Sequence, residues 1–385
     1  MKILSVREAT VPVGSAMRNA SIAFDQMTAS ALAIHTDQTL DGQPLIGWAF
    51  DSIGRYGKGG LLRERFIPRL MAAPDQALLD AQGLIDPRLG VQVLMRGEKQ
   101  GGHGERPGAV GLLDAALWDL RAKQEGLPLW QSVAKMYGQP LGSGRIPTYA
   151  SCGHFTDDPD PQALQDEVAQ CLDLGYTTVK IKLSGRDARL DAQRIASALR
   201  AGLAPQQLAV DLNGQWRRTD TEALRVLQAQ ALAWVEEPTA ALDYAAQAEF
   251  CLRHGGTVAT GENLFSSDDL TNLLRYAGLR QAQDRLQMDI SLSYGVQEYH
   301  HMLLTAQGMG WPRSAFWPHA GHLFAAHLVA AFGLGSHESA PDATRLYGGF
   351  WDGAAVSQGQ VTLPSAPGVG FEHKSKLMAQ LRALC

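Results

Sequence analysis

The second half of the chain repeats one unit, a short apolar or β-branched run followed by a stretch with helical periodicity. Six of these runs carry an ionisable residue at their end, every 25 to 30 residues: Lys182 in TTVKIKLSG, Asp211 in LAVDLNGQW, Glu236 in LAWVEEP, Glu262 in TVATGEN, Asp289 in LQMDISLS and His319 in SAFWPHAGH. This interval is typical of parallel βαβ units. The runs RIPTYASCG and GLGSHES supply a first and an eighth strand. The sequence therefore predicts a closed α/β barrel with its active site at the carboxyl ends of the strands.

The residues ahead of the barrel follow a different pattern. SALAIHTD and PLIGWAF flank a turn at Asp41 and Gly42, which predicts a hairpin in a β-rich start. The glycine-rich residues 52–60 predict a loop. A helical period follows and is clearest in GAVGLLDAALWDLRAKQEG, with Gly126 as the predicted stop. A chain of 385 residues thus divides into two domains, or into one large barrel with an attachment.

Composition and charge exclude several classes of function. The chain has 34 Lys and Arg against 39 Asp and Glu, a net charge of −5, and no basic block, so nucleic acid and anionic membranes are not its expected partners. Its longest nearly apolar stretch, 323–335, is well short of the ~20 residues of a membrane span. Arg7 and Glu8 stand where a signal peptide would have its apolar core, and four scattered cysteines indicate a reducing compartment. The prediction is a soluble, cytoplasmic protein.

Three successive predicted strands end in carboxylates, at Asp211, Glu236 and Glu262. Each residue alone is as well explained by a helix cap or a surface charge, but their matching positions favour a shared site. Since three converging carboxylates would repel one another, a divalent metal is expected, and all-oxygen ligands favour Mg²⁺ ahead of Mn²⁺ or Ca²⁺. Glu237, next to Glu236 on its strand, is predicted to point to the opposite face and to be structural.

Lys180 and Lys182 lie two residues apart on one predicted strand, so both ammonium groups point to the same face. Two cations held close together disfavour each other's charge, which predicts a lowered pKa for at least one of them, in the range of a useful base. A KxK pair by itself is typical of a solvated strand edge. Its place in the barrel pattern favours a catalytic role.

Asp289 and His319 end the next two predicted strands. A carboxylate beside an imidazole orients the ring and raises its pKa, which makes a general acid or an acid/base group. His322 competes for this role, but it is predicted to open the following helix. Glu338, at the last strand end, is a candidate hydrogen-bond partner of a substrate or a ring nitrogen, and otherwise a cap.

A lysine base, a metal and an Asp-oriented histidine suit the abstraction of a proton α to a carboxylate, with the metal stabilising the ene-diolate that forms. The chain shows no P-loop and no dinucleotide fingerprint, since the glycines of GGHGER at 101–106 do not join a strand to a helix in the required way. Redox and phosphoryl-transfer functions are therefore disfavoured.

The ordered motifs KIK, DLN, VEEP, GEN, D and PHAGH strongly resemble the enolase superfamily, in its mandelate racemase-like branch, and the resemblance covers essentially the whole chain. It implies a modified TIM barrel, (β/α)7β, at residues 131–352. It also implies an N-terminal α+β capping domain at 1–130, completed by the C-terminal tail, 353–385. In such a protein Asp211, Glu236 and Glu262 bind Mg²⁺.

Several segments resemble the D-tartrate dehydratases of that superfamily more closely, among them RNASIAF near residue 20, GRYGKGGLLRERF at 54–66 and GEKQGGHGER at 97–106. This resemblance implies the conversion of D-tartrate to oxaloacetate. Lys182 would remove the C2 proton, Lys180 would steady the carboxylate, and His319, helped by Asp289, would protonate the departing hydroxyl. The candidate substrate contacts are Asn19, Lys99, Asn213 and Glu338. Asn19 could equally cap a turn, and Lys99 could be a solvated surface lysine.

Other interpretations stay open. The same scaffold supports dehydration of another aldarate or aldonate, or racemisation or epimerisation of a 2-hydroxy acid. A non-catalytic binding protein of this fold would be expected to lack Lys182, His319 or a carboxylate ligand, and all are present. The expected partner is a small hydroxy diacid, and the resemblance implies a homo-oligomer.

Overall fold

The computed structural model of the protein describes residues 1–52, 55–98, 104–156, 160–340 and 348–385. Its N-terminal sheet is antiparallel, with neighbours in chain order: β1 (Ile3–Pro12), β2 (Thr28–Leu40) and β3 (Gln43–Phe50). Asp41 and Gly42 join β2 to β3 with positive φ angles of 51° and 76°. The predicted hairpin is confirmed, because these residue types tolerate the left-handed backbone that such a turn requires.

Helices follow this sheet: α1 (Gly59–Leu61), α2 (Ile67–Met71), α3 (Pro87–Leu94), α4 (Arg106–Glu125) and α5 (Leu129–Met136). The predicted helix is α4, and it ends at Gly126, whose φ is 64°. It is buried on nearly all faces because it lies between the N-terminal sheet and the barrel. Asp119 accepts a hydrogen bond from the Trp48 N–H of β3, and Asp114 accepts one from the Val296 N–H on the barrel side.

The second sheet is parallel and curls into the barrel. Its strands are β4 (Arg145–Cys152), β5 (Val179–Lys182), β6 (Leu208–Asp211), β7 (Val235–Glu236), β8 (Val258–Thr260), β9 (Arg285–Leu286) and β10 (His337–Ser339). Its outer helices are α6 (Pro161–Asp173), α7 (Ala188–Arg200), α8 (Thr221–Gln228), α9 (Tyr244–His254), α10 (Ser267–Tyr276), α11 (Val296–Gly308) and α12 (Leu323–Phe332). The order β10–β4–β5–β6–β7–β8–β9 places the last strand beside the first. The fold is a modified (β/α)7β TIM barrel with an N-terminal α+β cap.

The barrel strands and helices form where local chemistry favours them. β5 and β6 are buried at every position, including Lys180, Lys182 and Asp211, since a parallel barrel strand is covered on both faces. Side-chain caps start α6, α7 and α9 at Asp160, Asp187 and Asp243, each accepting a hydrogen bond from an N–H of the first turn.

The seventh strand of the barrel is almost absent. The predicted strand SAFWPHAGH contributes one bridge, between Phe316 and Leu286 of β9, and the Trp317 N–H donates to the Leu286 carbonyl. The prediction that six strands end at their ionisable residue is therefore correct for Lys182, Asp211 and Glu236. It is wrong for three others, which lie two or three residues past the last paired position: Glu262, Asp289 and His319.

The C-terminal tail contacts both sheets. β11 (Gln360–Thr362) pairs antiparallel with β4, and α13 (Ser375–Leu381) packs against β2. Gly368 exchanges backbone hydrogen bonds with Leu127 and Leu129, at the end of the helical cap segment. Within the described part of the chain, no helix combines the length and apolarity needed to cross a membrane.

Candidate active site

The three predicted carboxylates meet at the mouth of the barrel. Asp211 of β6 pairs in register with Glu236 of β7, and Glu262 follows β8. Each residue offers an oxygen within 4.8 Å of the others, and all three are buried. The register places Asp211 and Glu236 at the same level on adjacent strands, which explains why their carboxylates converge.

This triad fits a hard divalent cation. Its ligand set is all oxygen, as Mg²⁺ prefers. Burial and the charges of Asp211 and Glu338 raise the pKa of Glu236 to about 7, even though Lys180 opposes the shift, whereas Lys182 and Lys180 hold the pKa of Asp211 below its ordinary value despite its burial. Among the described residues, the Asn213 Oδ1 atom beside Asp211 is buried without a hydrogen-bond partner. Asn213 has a left-handed backbone (φ 44°), and both its N–H and its Nδ2 donate to Asp211.

The two lysines face the triad, as the strand spacing predicts. Lys182 pairs in register with Asp211, and its Nζ lies 2.5 Å from Asp211 Oδ2. Lys180 is fully buried and pairs with Glu236, and with Glu338 at 2.8 Å.

The predicted lowering of a lysine pKa is wrong for this arrangement. Burial acts to lower the pKa of Lys182, and Lys180 adds to that effect, but Asp211, Glu236 and Glu338 together outweigh both and raise it. The pKa of Lys180 is raised for the same reason. The prediction from residue spacing considered the effect of each lysine on the other but not the effect of the carboxylates on the neighbouring strands.

His319 is held between two carboxylates. Its Nδ1 lies 3.1 Å from Asp289 Oδ2, and its Nε2 lies 3.4 Å from Glu262 Oε2. Burial acts to lower the His319 pKa, but Glu262, Asp289 and Glu338 raise it to about 9. Asp289 also accepts hydrogen bonds from Ser52 Oγ at 2.5 Å and from the Ser291 N–H at 2.8 Å. The predicted pairing of Asp289 with His319 is therefore present, and it favours the protonated form of the imidazole.

His322 does not reach this site. It caps α12, where its Nδ1 accepts from the Phe324 N–H, and its Nε2 contacts the Phe50 carbonyl. The prediction that His322 opens the following helix is confirmed. Glu338 lies at the mouth and accepts from the Ala320 N–H at 2.9 Å as well as pairing with Lys180.

The prediction that Glu237 points away from the site is wrong. Its φ of 38° breaks the strand alternation directly after Glu236, and its side chain lines the cavity. The Asn263 Nδ2 donates to Glu237 Oε1 at 2.6 Å. Burial, with the charges of Glu262 and Asp211, raises the pKa of Glu237 well above its ordinary value.

A cavity of about 260 Å³ lies between the barrel mouth and the cap. Lys182, His319, Asn213 and Glu338 line it from the barrel side, and Asn19 lines it from the cap. The Asn19 Oδ1 accepts from the Ser21 and Ile22 N–H groups, so this side chain also fixes a turn. Lys99 lies outside the described residues.

Sequence reasoning missed other residues that line the cavity. Arg55 of the cap reaches it, with its Nη2 bonded to Asn263 Oδ1 and 4.0 Å from Glu262 Oε1. Ser151 and His154, at the end of β4, also line it. Ser151 could have been identified from RIPTYASCG, since it follows the pattern of polar residues at strand ends, and His154 comes directly after that run. Arg55 lies in an irregular segment where no periodicity marks it.

Comparison with known proteins agrees with this geometry. Residues 163–377 match the enolase C-terminal domain-like family. The 3,6-anhydro-alpha-L-galactonate cycloisomerase of Streptomyces coelicolor is 30% identical over 308 residues, covering 72% of this chain and 73% of the relative. The chain belongs to the enolase superfamily. The L-talarate/galactarate dehydratase of Salmonella typhimurium, another relative, is 30% identical over 245 residues, 63% of this chain and 58% of that protein.

The fold is shared with a solved structure. A racemase from Streptomyces coelicolor, crystallised with bound magnesium, superposes with a TM-score of 0.77 over 100% of this chain and 99% of that one, at 22% identity. These similar proteins are named as a dehydratase, a cycloisomerase and a racemase, so membership of the superfamily does not select one reaction.

Proposed function

We propose that the protein is a Mg²⁺-dependent acid-sugar dehydratase that converts D-tartrate to oxaloacetate and water. The observation that carries the proposal is that Lys182 and His319 reach one cavity on either flank of the buried carboxylate triad. A base and an acid that share a cavity with a metal site are the groups that elimination of water next to a carboxylate requires.

Asp211, Glu236 and Glu262 would hold the Mg²⁺. The bound ion would supply positive charge to the substrate carboxylate as negative charge develops there. With a cation on the triad, Asp211 and Glu236 would no longer depend on Lys182 and Lys180 for charge compensation. Lys182 would then be free to act as a base, while Lys180 stays directed at the substrate carboxylate through its contact with Glu338.

In the elimination, the Lys182 Nζ takes the C2 proton, and the C–H electron pair forms the new C=C bond. The C3–O bond breaks, and the His319 imidazolium donates a proton to the leaving hydroxyl, which departs as water. Asp289 keeps the ring oriented and stabilises its charged form. The enol product tautomerises to oxaloacetate.

A diacid substrate is supported by the cap side of the cavity. The Arg55 guanidinium lies there, and a second carboxylate on the substrate would meet it. Asn19, Asn213 and Glu338 are proposed contacts for the hydroxyl groups, and Lys99 remains a prediction. We further propose that residues 1–130 and 353–385 act as the capping domain over a catalytic barrel at 131–352, and that the protein is a cytoplasmic homo-oligomer.

Racemisation or epimerisation of a 2-hydroxy acid is the second candidate. Two proton-transfer groups on one cavity also allow a proton to leave from one face and return to the other. The position of a leaving hydroxyl relative to His319 decides between the two reactions. Dehydration of another aldarate would keep the same residues and change only the cap contacts.

The proposal is tested by trapping keto acids formed with Mg²⁺ from D-, L- and meso-tartrate, galactarate and a monocarboxylic aldonate. Product from D-tartrate alone supports both reaction and substrate, and product from another acid keeps the reaction and replaces the substrate. If no acid gives a keto-acid product but an α-proton exchanges with D₂O, the result would indicate racemisation. If neither product nor exchange is detected, the proposal is contradicted.

The metal is tested in the same assay. EDTA should abolish product formation, and Mg²⁺ should restore it. Glu262→Gln should weaken Mg²⁺ binding, measured as a smaller rise in melting temperature with added Mg²⁺. Asp268→Asn, an exposed carboxylate on α10, is the matched control. Activity that survives thorough chelation would remove the metal from the mechanism.

A further inference from the structure

Arg194 of α7 ties together the strand ends behind the proposed base. Its Nε donates to the Lys182 carbonyl at 2.8 Å, and its Nη2 donates to the Gly153 carbonyl, just past β4. The Gly153 carbonyl also accepts from the Lys182 N–H at 3.3 Å. One guanidinium thus fixes the backbone on both sides of the point where Lys182 leaves the sheet.

Side chains of the outer helices hold the loops that follow these strands. Glu167 of α6 accepts from the Gly153 N–H at 3.1 Å. Asp191, one turn before Arg194, accepts from the Ser184 and Gly185 N–H groups at 2.7 and 3.0 Å. Asp191 is buried, so these bonds are shielded from water. The carboxyl ends of β4 and β5 are therefore braced from outside the barrel.

Arg194 also reaches the cap through Phe155. Its guanidinium carbon lies 4.5 Å from the centre of the Phe155 ring. Phe155 and Arg18 exchange two backbone hydrogen bonds, of 3.0 and 2.7 Å, and Asn19 of the cavity wall follows Arg18 directly. A continuous set of contacts therefore joins the cap segment 17–24 to the backbone of Lys182.

We propose that Arg194 is a positioning residue that couples docking of the cap segment 17–24 to the alignment of Lys182. A lysine side chain has several rotatable bonds. Its Nζ can be held in one direction only if the backbone to which the side chain is attached does not move. The planar, always charged guanidinium suits this task, because its fork grips two carbonyls while its face stacks on a ring. A displacement of about 1 Å at a reacting group costs on the order of 10²-fold in rate. The proposal rests on the proposed function only in taking Lys182 as the base.

The coupling can be measured without a substrate, by amide hydrogen–deuterium exchange of Arg194→Gln against the wild type. Exchange should speed by about tenfold or more in both 17–24 and 151–156, because both lose the same anchor. Arg189→Gln, an exposed arginine on the same helix, should change neither segment. Unchanged protection of 17–24 in Arg194→Gln, with folding verified by circular dichroism, would overturn the coupling.

The alignment is measured as turnover and α-proton exchange on whichever acid the wild type accepts. In Arg194→Gln, kcat for both reactions should fall by the same factor, about 10- to 100-fold, since both begin at Lys182. The Mg²⁺-dependent rise in melting temperature should stay unchanged, and added guanidinium should restore part of the kcat lost in Arg194→Ala. A loss that follows Mg²⁺ affinity or folded fraction instead would overturn the positioning role. If the wild type turns over no acid, the proposed function fails, while the hydrogen-exchange comparison still decides the coupling.

Discussion

At the lysine end of the barrel mouth, Lys182, Asp211 and Glu236 are the last residues of adjacent strands and pair with one another in register. At the histidine end, Asp289 and His319 follow strands that have already ended, and side-chain hydrogen bonds hold them instead. The sheet fixes the position of Lys182, the proposed base, whereas a network of separate contacts fixes the position of His319, the proposed acid. Substitutions at the lysine end should therefore abolish proton transfer and leave the backbone of the site in place. Substitutions at the histidine end should affect both proton transfer and the positions of the neighbouring groups.

The largest effect is expected for Lys182→Ala. Loss of the base should lower both α-proton exchange and dehydration by about 10²- to 10⁴-fold, because both begin with the same proton transfer. The fold should persist, since strand pairing does not depend on the ammonium group. NMR in D₂O measures both rates together, and Lys135→Ala, an exposed lysine of α5, is the control. Exchange at the wild-type rate would contradict the assignment of the base.

A smaller and uneven effect is expected for Asp289→Asn. An amide cannot stabilise the His319 imidazolium as a carboxylate does, so dehydration should fall by about 10²-fold while α-proton exchange falls much less. Ser52→Ala, which removes one hydrogen bond to the same carboxylate, should give the same pattern at smaller size. Equal losses in both reactions would mean that Asp289 serves the whole site and not the acid alone.

Residues 322–339, which follow the histidine end along the chain, should open in acid before residues 179–211 at the lysine end. Burial lowers the pKa of His322, His327 and His337 to about 4, below the ordinary 6.5. Between pH 6.5 and 4 the opened segment binds protons that the folded one does not, so local stability falls as pH falls, by about 1.4 kcal/mol per pH unit per histidine. Amide exchange at pH 5, corrected for its intrinsic pH dependence, should rise more in 322–339 than in 179–211. His327→Gln should reduce the difference, and equal changes in both segments would contradict it.

The smallest effect concerns the backbone next to His319. Ala320 has a φ of 80°, a conformation that costs a residue with a Cβ about 1–2 kcal/mol, while its N–H donates to Glu338. Ala320→Gly should relieve this strain, and the gain should be partly offset by the greater freedom of glycine in the unfolded chain. Denaturant melts should show the free energy of unfolding higher by up to about 1 kcal/mol. A lower value would mean that the Ala320 methyl group makes a favourable contact outweighing the strain.

The difference between the two ends also explains what the sequence could predict. Strand spacing predicted that Asp211, Glu236 and Glu262 would converge, because the carboxyl ends of parallel strands meet at one edge of a barrel. It failed for Glu237, since a single left-handed residue reverses the alternation on which the prediction depends. It also missed Arg55, which reaches the cavity from a segment without regular structure.

The sequence also could not predict how charges on different strands compensate one another. The raised pKa of Lys182 depends on carboxylates from other strands, whose distances no spacing argument supplies. The brace formed by Arg194 joins a helix surface to a strand end, and the helical periodicity of α7 indicates which side of the helix is buried but not which carbonyl groups an arginine on that side reaches. Sequence patterns therefore predicted which groups meet, and the structure was needed to see how they are held.

The division of labour between the two ends is tested most directly by His319→Asn on D-tartrate in D₂O with Mg²⁺, followed by NMR. If Lys182 takes the α-proton and His319 delivers a proton to the leaving hydroxyl, dehydration should fall by about 10²- to 10⁴-fold while deuterium still enters C2 of the recovered substrate. Dehydration at the wild-type rate would contradict the account, because the departing hydroxyl would then take its proton from a group other than His319.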